Sequence, residues 1–132
     1  MKKFLVFIFL IPLAFACKES EIQNENLFDF NGTVQVKHGQ ILQSDHSDIS
    51  MQIININDSR CPSDVVCVWE GEARITIEFI NTKTSTFELS TSEPKDTVDN
   101  YIFTLMDVAP YPVSTEILEL EDYTIKLDVE EL

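Results

Sequence analysis

From residue 33 onward the chain alternates between apolar and polar positions. Val34 and Val36 sit among Thr33, Gln35 and Lys37, a period of two that turns one face of an extended strand inward. Ile41 and Leu42 start a short strand, and residues 51–56 (MQIINI) are dense enough in isoleucine to predict an inner one. The longest alternation covers residues 66–80. There Cys67, Trp69, Ala73, Ile75, Ile77 and Phe79 share a face opposite Glu70, Glu72, Arg74, Thr76 and Glu78, which predicts that Trp69 enters the core. Gly71 within that run marks a bulge or a close backbone approach. Residues 86–90 return with Phe87 and Leu89 inward. Residues 101–108 (YIFTLMDV) are apolar at both parities, as expected of a strand covered on both sides. Tyr123, Ile125, Leu127 and Val129 close the series in strict alternation with Thr124, Lys126, Asp128 and Glu130.

Turn signals separate these runs: His38-Gly39, residues 44–48, residues 81–84, the polar stretch 91–100 and Ala109-Pro110-Tyr111-Pro112. Residues 116–121 fit either a short strand or a helical turn. About seven short strands with almost no helical periodicity predict an all-β fold, an antiparallel β-sandwich of immunoglobulin-like architecture. The pairing of a core Trp with a bond between distant cysteines, usual in immunoglobulin domains, is absent, because Cys61 and Cys67 lie only six positions apart.

The first residues follow another pattern. Met1-Lys2-Lys3 is positive, and residues 4–16 are apolar with a break only at Pro12. This is the layout of a secretory signal, and Lys18, Glu19 and Glu21 follow too soon for a membrane span. Leu13-Ala14-Phe15-Ala16-Cys17 resembles the lipobox of bacterial lipoproteins, with Ala14 where the family usually has a large aliphatic residue. The resemblance implies cleavage before Cys17 and acylation of its thiol. Cysteine parity agrees: of Cys17, Cys61 and Cys67, lipid on the first leaves the other two as a pair. The expected organisation is a signal peptide (1–16), an acylated cysteine with a flexible tether (17–31) and a β-sandwich domain (32–132). Lys18-Glu19-Ser20-Glu21 is similar, apart from Ser20, to the signals that send some Bacteroidetes-type lipoproteins to the cell's outer face, and this resemblance implies an outer-membrane location.

Charge narrows the choice of partner. The chain has 9 basic and 23 acidic residues, a net charge of −14, and removal of residues 1–16 takes away two lysines and no acid. Such a surface is repelled by phosphate backbones, which excludes nucleic acid as a partner. It gains nothing from an anionic leaflet, so membrane contact is expected through the lipid. The same charge discourages self-association.

Residues 58–73 are the least generic part of the chain: Asp58-Ser59-Arg60-Cys61-Pro62-Ser63-Asp64-Val65-Val66-Cys67-Val68-Trp69-Glu70-Gly71-Glu72-Ala73. They resemble the D-S-R-C-P-x-x-V-x-C-V-W-x-G-x-A stretch of small bacterial, Bacteroidetes-type lipoproteins. That likeness implies an envelope location and brings no established activity. Physically, Cys61 and Cys67 can close a loop in an oxidising compartment, worth about 2 kcal/mol by chain entropy. Pro62 stiffens it, Asp58 or Ser59 can cap backbone donors, and Arg60 can pair with Asp58, Asp64 or Glu70. As alternatives, a redox-active dithiol favours C-x-x-C spacing, and zinc needs two further ligands that His38 and His46, in polar turns, do not obviously supply. Arg60 with Trp69 can form a recognition patch, while the plainest role is a brace.

Two acidic loops are candidates for calcium: Asp45, His46 and Asp48, and Asp96, Asp99 and Asn100. Neither has the spacing of a known calcium loop. No serine elbow, histidine constellation or facing carboxylate pair marks a catalytic set. Tyr111, held between Pro110 and Pro112, is an exposed aromatic on a rigid turn. The expectation is a non-enzymatic envelope lipoprotein without cofactor, displayed on its lipid and binding an envelope protein or glycan. The alternatives are a calcium-binding module and a hydrolase with an unrecognised site.

Overall fold

The computed structural model describes residues 27–28, 31–44, 49–80 and 86–132. Cys17, the signal and tether up to residue 26, Asp45, His46, Asp48 and the turn at 81–84 lie outside the described residues. The described strands are β1 (Leu27–Phe28), β2 (Asn31–Lys37), β3 (Ile41–Ser44), β4 (Ser50–Asp58), β5 (Ala73–Ile80), β6 (Thr86–Ser90), β7 (Lys95–Val98), β8 (Tyr101–Ala109) and β9 (Thr124–Glu131), with a single 3-10 turn at Leu120–Asp122. They form two sheets, ordered β1-β3-β4-β5-β6 and β2-β9-β8-β7. Every neighbouring pair is antiparallel except β1 with β3. The domain is an all-β sandwich.

Alternation builds the core as expected. Ala73, Ile75, Ile77 and Phe79 of β5 are buried, and Tyr123, Ile125, Leu127 and Val129 face them from the second sheet. Phe79 of β5 and Phe103 of β8 meet across the layers with ring centres 5.4 Å apart, and Phe87 of β6 lies 5.0 Å from Phe103. Burying one such aliphatic or aromatic side chain stabilises the fold by ~1.5–3 kcal/mol.

Three departures matter for the site. The strand expected over residues 66–80 begins only at Ala73, and residues 59–72 form an irregular loop. Trp69 is accordingly not a core residue; it is 82% exposed. The mixed parity of residues 101–108 does not reflect cover on both faces. Phe103 and Leu105 point inward, the register slips by one residue between Leu105 and Asp107, and Val108 points inward again. A bulge there leaves Met106 outside. β4 carries a matching slip between Ile53 and Asn55 that turns Ile54 outward. Lastly, β7 lies within the stretch expected as a polar loop. Its residues are almost all exposed, so pairing with β8 supports it rather than a buried face.

Candidate functional site

β4 ends at Asp58, and the chain immediately folds back so that Arg60 grips it. Arg60 Nε donates to Asp58 Oδ1 at 2.8 Å and Nη2 to Oδ2 at 2.6 Å, with the two side chains only 8% and 4% exposed. Arg60 also donates to the Val108 carbonyl (2.9 Å) and the Pro110 carbonyl (3.1 Å), and its guanidinium lies 4.5 Å from the centre of the Tyr111 ring. The Tyr123 hydroxyl donates to Asp58 Oδ2, the oxygen that also accepts from Arg60 Nη2. Burial opposes the charged form of Asp58, but the bonds and charge of Arg60 outweigh it and hold the carboxyl below its usual range. The same partnership holds Arg60 above its usual value against its own burial. Burial first, and then the Asp58 charge, push the Tyr123 hydroxyl up. Of the three partners expected for Arg60, the structure selects Asp58.

Beyond this latch the loop stands on two arms. Ser59 N donates to Glu72 O at 2.8 Å and Cys61 N to Glu70 O at 2.7 Å, while the Ser59 hydroxyl bridges to the Glu72 backbone. The arms approach so closely that only glycine fits at residue 71. A Cβ there would stand 1.8 Å from the Ser59 carbonyl oxygen, and φ is +67°. The Cys61–Cys67 disulfide closes the tip, with Cα atoms 5.9 Å apart. Ser63 N donates to Pro112 O at 3.0 Å. Asp64 accepts from the backbone N and hydroxyl of Ser114 at 2.8 and 2.5 Å, bonds that hold its carboxyl below the usual range.

This scaffold turns apolar side chains outward. Val66 and Val68 are as exposed as Trp69, at 101% and 90%, and Val65 is partly so. At the base of the loop lies an open cleft of about 550 Å³, lined in part by Arg60, Glu70, Ser92, Asp107 and Tyr111. Next to it Ser92 Oγ donates to Glu72, which also receives Arg74 at 2.5 Å. The bonds from Ser92, Arg74 and Ser90 lower the Glu72 pKa to about 2. A carboxylate that acidic is a poor general base for the serine beside it.

The remaining sequence candidates are scattered. Glu70 reaches the cleft rim, and its carbonyl serves the loop arm. Asp96 accepts from Thr97 N, and Asp99 occupies a left-handed turn with φ of 53° between β7 and β8. Among the described residues no group of three or more His, Cys, Asp and Glu side chains is placed to hold a metal ion. Tyr123, Ser114 and Asp107 belong to the site although nothing in their local sequence marks them. Comparison with protein-family models, with curated proteins and with solved structures returns no match.

Proposed function

We propose that the chain is a non-enzymatic envelope lipoprotein, anchored through Cys17, whose disulfide-braced loop docks on a partner protein. One observation carries this reading: Val66, Val68 and Trp69 expose nearly all of their apolar surface on a loop fixed by a disulfide, a buried ion pair and a tight glycine contact. Contiguous exposed apolar patches larger than a few hundred Å² mark interaction sites, and Trp is enriched among the residues that dominate binding energy. Bracing matters because a preformed loop loses little conformational freedom on binding. Asp64 and Glu70, on the same loop, suit a partner whose apolar pocket has a basic rim.

The test is chemical cross-linking in intact cells of the producing organism, comparing the wild-type chain with Val66→Ser/Val68→Ser/Trp69→Ser. The wild type should give a discrete cross-linked complex that the triple variant loses while keeping its melting temperature. An undiminished complex in the variant would remove the loop from the interface. Labelled fatty acid should appear on the wild type and disappear in Cys17→Ala, and label on both or neither would overturn the anchor.

A further inference from the structure

A second surface, remote in sequence from the loop, carries an inference of its own. β2 is an edge strand: it pairs with β9 on one side, and no described strand pairs with residues 31–36 on the other, while just past its end His38 bridges to Ile53 of β4 and Gly39 N donates to Ile53 O. Its seven residues pair with β9 in unbroken register from Asn31 to Lys37. The direction of its backbone groups is fixed at one end. Lys37 N donates to the Gln40 side chain at 3.1 Å, and Lys37 O accepts from Gln40 N at 3.1 Å. Lys37 therefore turns its backbone away from β9. Because the direction alternates along an antiparallel strand, Gln35 and Thr33 turn theirs away as well. A groove lies against the strand, lined by residues 33–37 with Gln40 and with Thr124 of β9.

Natural edges are blunted by shortness, proline, bulges or charge. β1 has two residues, β7 is four residues long with Lys95 and Asp96, and β6 is five with Glu88. β2 has seven residues with no proline, no bulge and no charge before Lys37. In a chain of net charge −14, this strand contains no acid.

We infer that β2 pairs antiparallel with β2 of a second copy of this chain, about a two-fold axis at Val34, to give a continuous eight-stranded sheet. The strand is self-complementary in that register. Thr33 and Gln35 of one copy exchange backbone bonds with Gln35 and Thr33 of the other. Val34, which is half-buried and packed against the core, meets its own symmetry mate as a β-branched pair in the closer, non-hydrogen-bonded position. Lys37 falls opposite Asn31, so no like charges face each other. The contact is isologous and closes at two. Strand edges alone bury less than a standard interface, so the association is weak. Repulsion between acidic copies makes it strengthen with salt.

The experiment traps the pair. In the chain carrying Cys17→Ser, a cysteine is introduced at Val34 and, as controls, at Thr33 or at the outward-facing Ile54 of β4. Under mild oxidation Val34→Cys should give a disulfide-linked dimer in severalfold higher yield than Thr33→Cys or Ile54→Cys, because only residue 34 meets itself. Adding Thr33→Lys and Gln35→Lys, which keep every N–H group but oppose like charges, should abolish the excess. So should Gln35→Pro, which deletes one outward N–H and leaves the β9 ladder intact. Sedimentation equilibrium of the parent should show the average mass climbing with concentration, more at 0.5 M than at 0.05 M salt. Equal yields at the three positions, an excess that survives the lysines, or a monomer mass up to about 1 mM protein in high salt would overturn the inference.

Discussion

Replacing Arg60 by Ala would strand the Asp58 carboxylate in a pocket that leaves it 4% exposed. Two charge-assisted bonds to Asp58 disappear, together with those to the Val108 and Pro110 carbonyls and the cover over Tyr111. Removing one member of a buried ion pair costs about 3–5 kcal/mol, because the other charge is left uncompensated. In a domain of this size each kcal/mol lowers the melting temperature by about 4–8 °C, so the variant should melt at least ~12 °C below the wild type at pH 7. The pH dependence is a sharper test. In the wild type Asp58 titrates below its unfolded value, so its stabilisation is present above that value and is lost as pH falls through the folded one. Without Arg60, burial is left to raise the Asp58 pKa, so the variant's deficit should shrink as pH drops from 7 towards 4. Thermal melts by circular dichroism across that range measure both effects. Asp58→Asn in the Arg60→Ala background should recover part of the loss, since a neutral amide removes the buried charge. A drop under about 4 °C at pH 7, or no recovery with Asn, would refute the assignment of the pair as a structural latch.

Gly71→Ala should destabilise by more than the ~1–2 kcal/mol of a left-handed alanine alone, because its Cβ would overlap the Ser59 carbonyl; Gly39→Ala, also at positive φ but in open space, should cost only that amount in a denaturant titration. Trp69→Ala should change stability by no more than about 0.5 kcal/mol, as for an exposed position, whereas Ile77→Ala should cost about 2–5 kcal/mol. For Glu72 the folded pKa of about 2 lies below the ordinary value of 4.5, so its contribution is present above that value and lost as pH falls towards 2. Melts of wild type and Glu72→Gln should therefore converge over that acid range, and a constant difference would contradict the Ser92 and Arg74 contacts.

The sandwich could be read from the chain because the alternation in β5 and β9 is strict and each inward position is buried. Alternation failed where one residue was inserted. The slips at Ile54 and Met106 reverse parity halfway along β4 and β8, which gives β8 the apolar pattern of a strand covered on both sides. β7 lacked a signal because it buries almost nothing. In the loop, Cys67 and Trp69 continue the parity of Ala73 and Ile75 and so read as strand. The contacts that curl this segment away reach Val108, Pro110 and Ser114, 48 to 50 positions distant. Local pattern does not encode such partners. Arg60 and its acidic neighbours were legible as a pairing problem, and the choice of Asp58 needed the fold.

β2 and β9 are joined strand to strand although Thr33 and Asp128, which hydrogen-bond across them, are 95 residues apart in the chain. During synthesis from the N-terminal end, the second sheet stays incomplete until residues 124–131 emerge, and pairings this distant in sequence fold slowly. β9 also separates β2 from β8. A chain cut short before residue 124 would therefore lose the partner of both strands together and expose two unpaired edges with the core faces of Val36 and Phe103 behind them. The fold thus ties the integrity of β2 to the arrival of β9, and an incomplete copy presents itself to proteases as an open sheet.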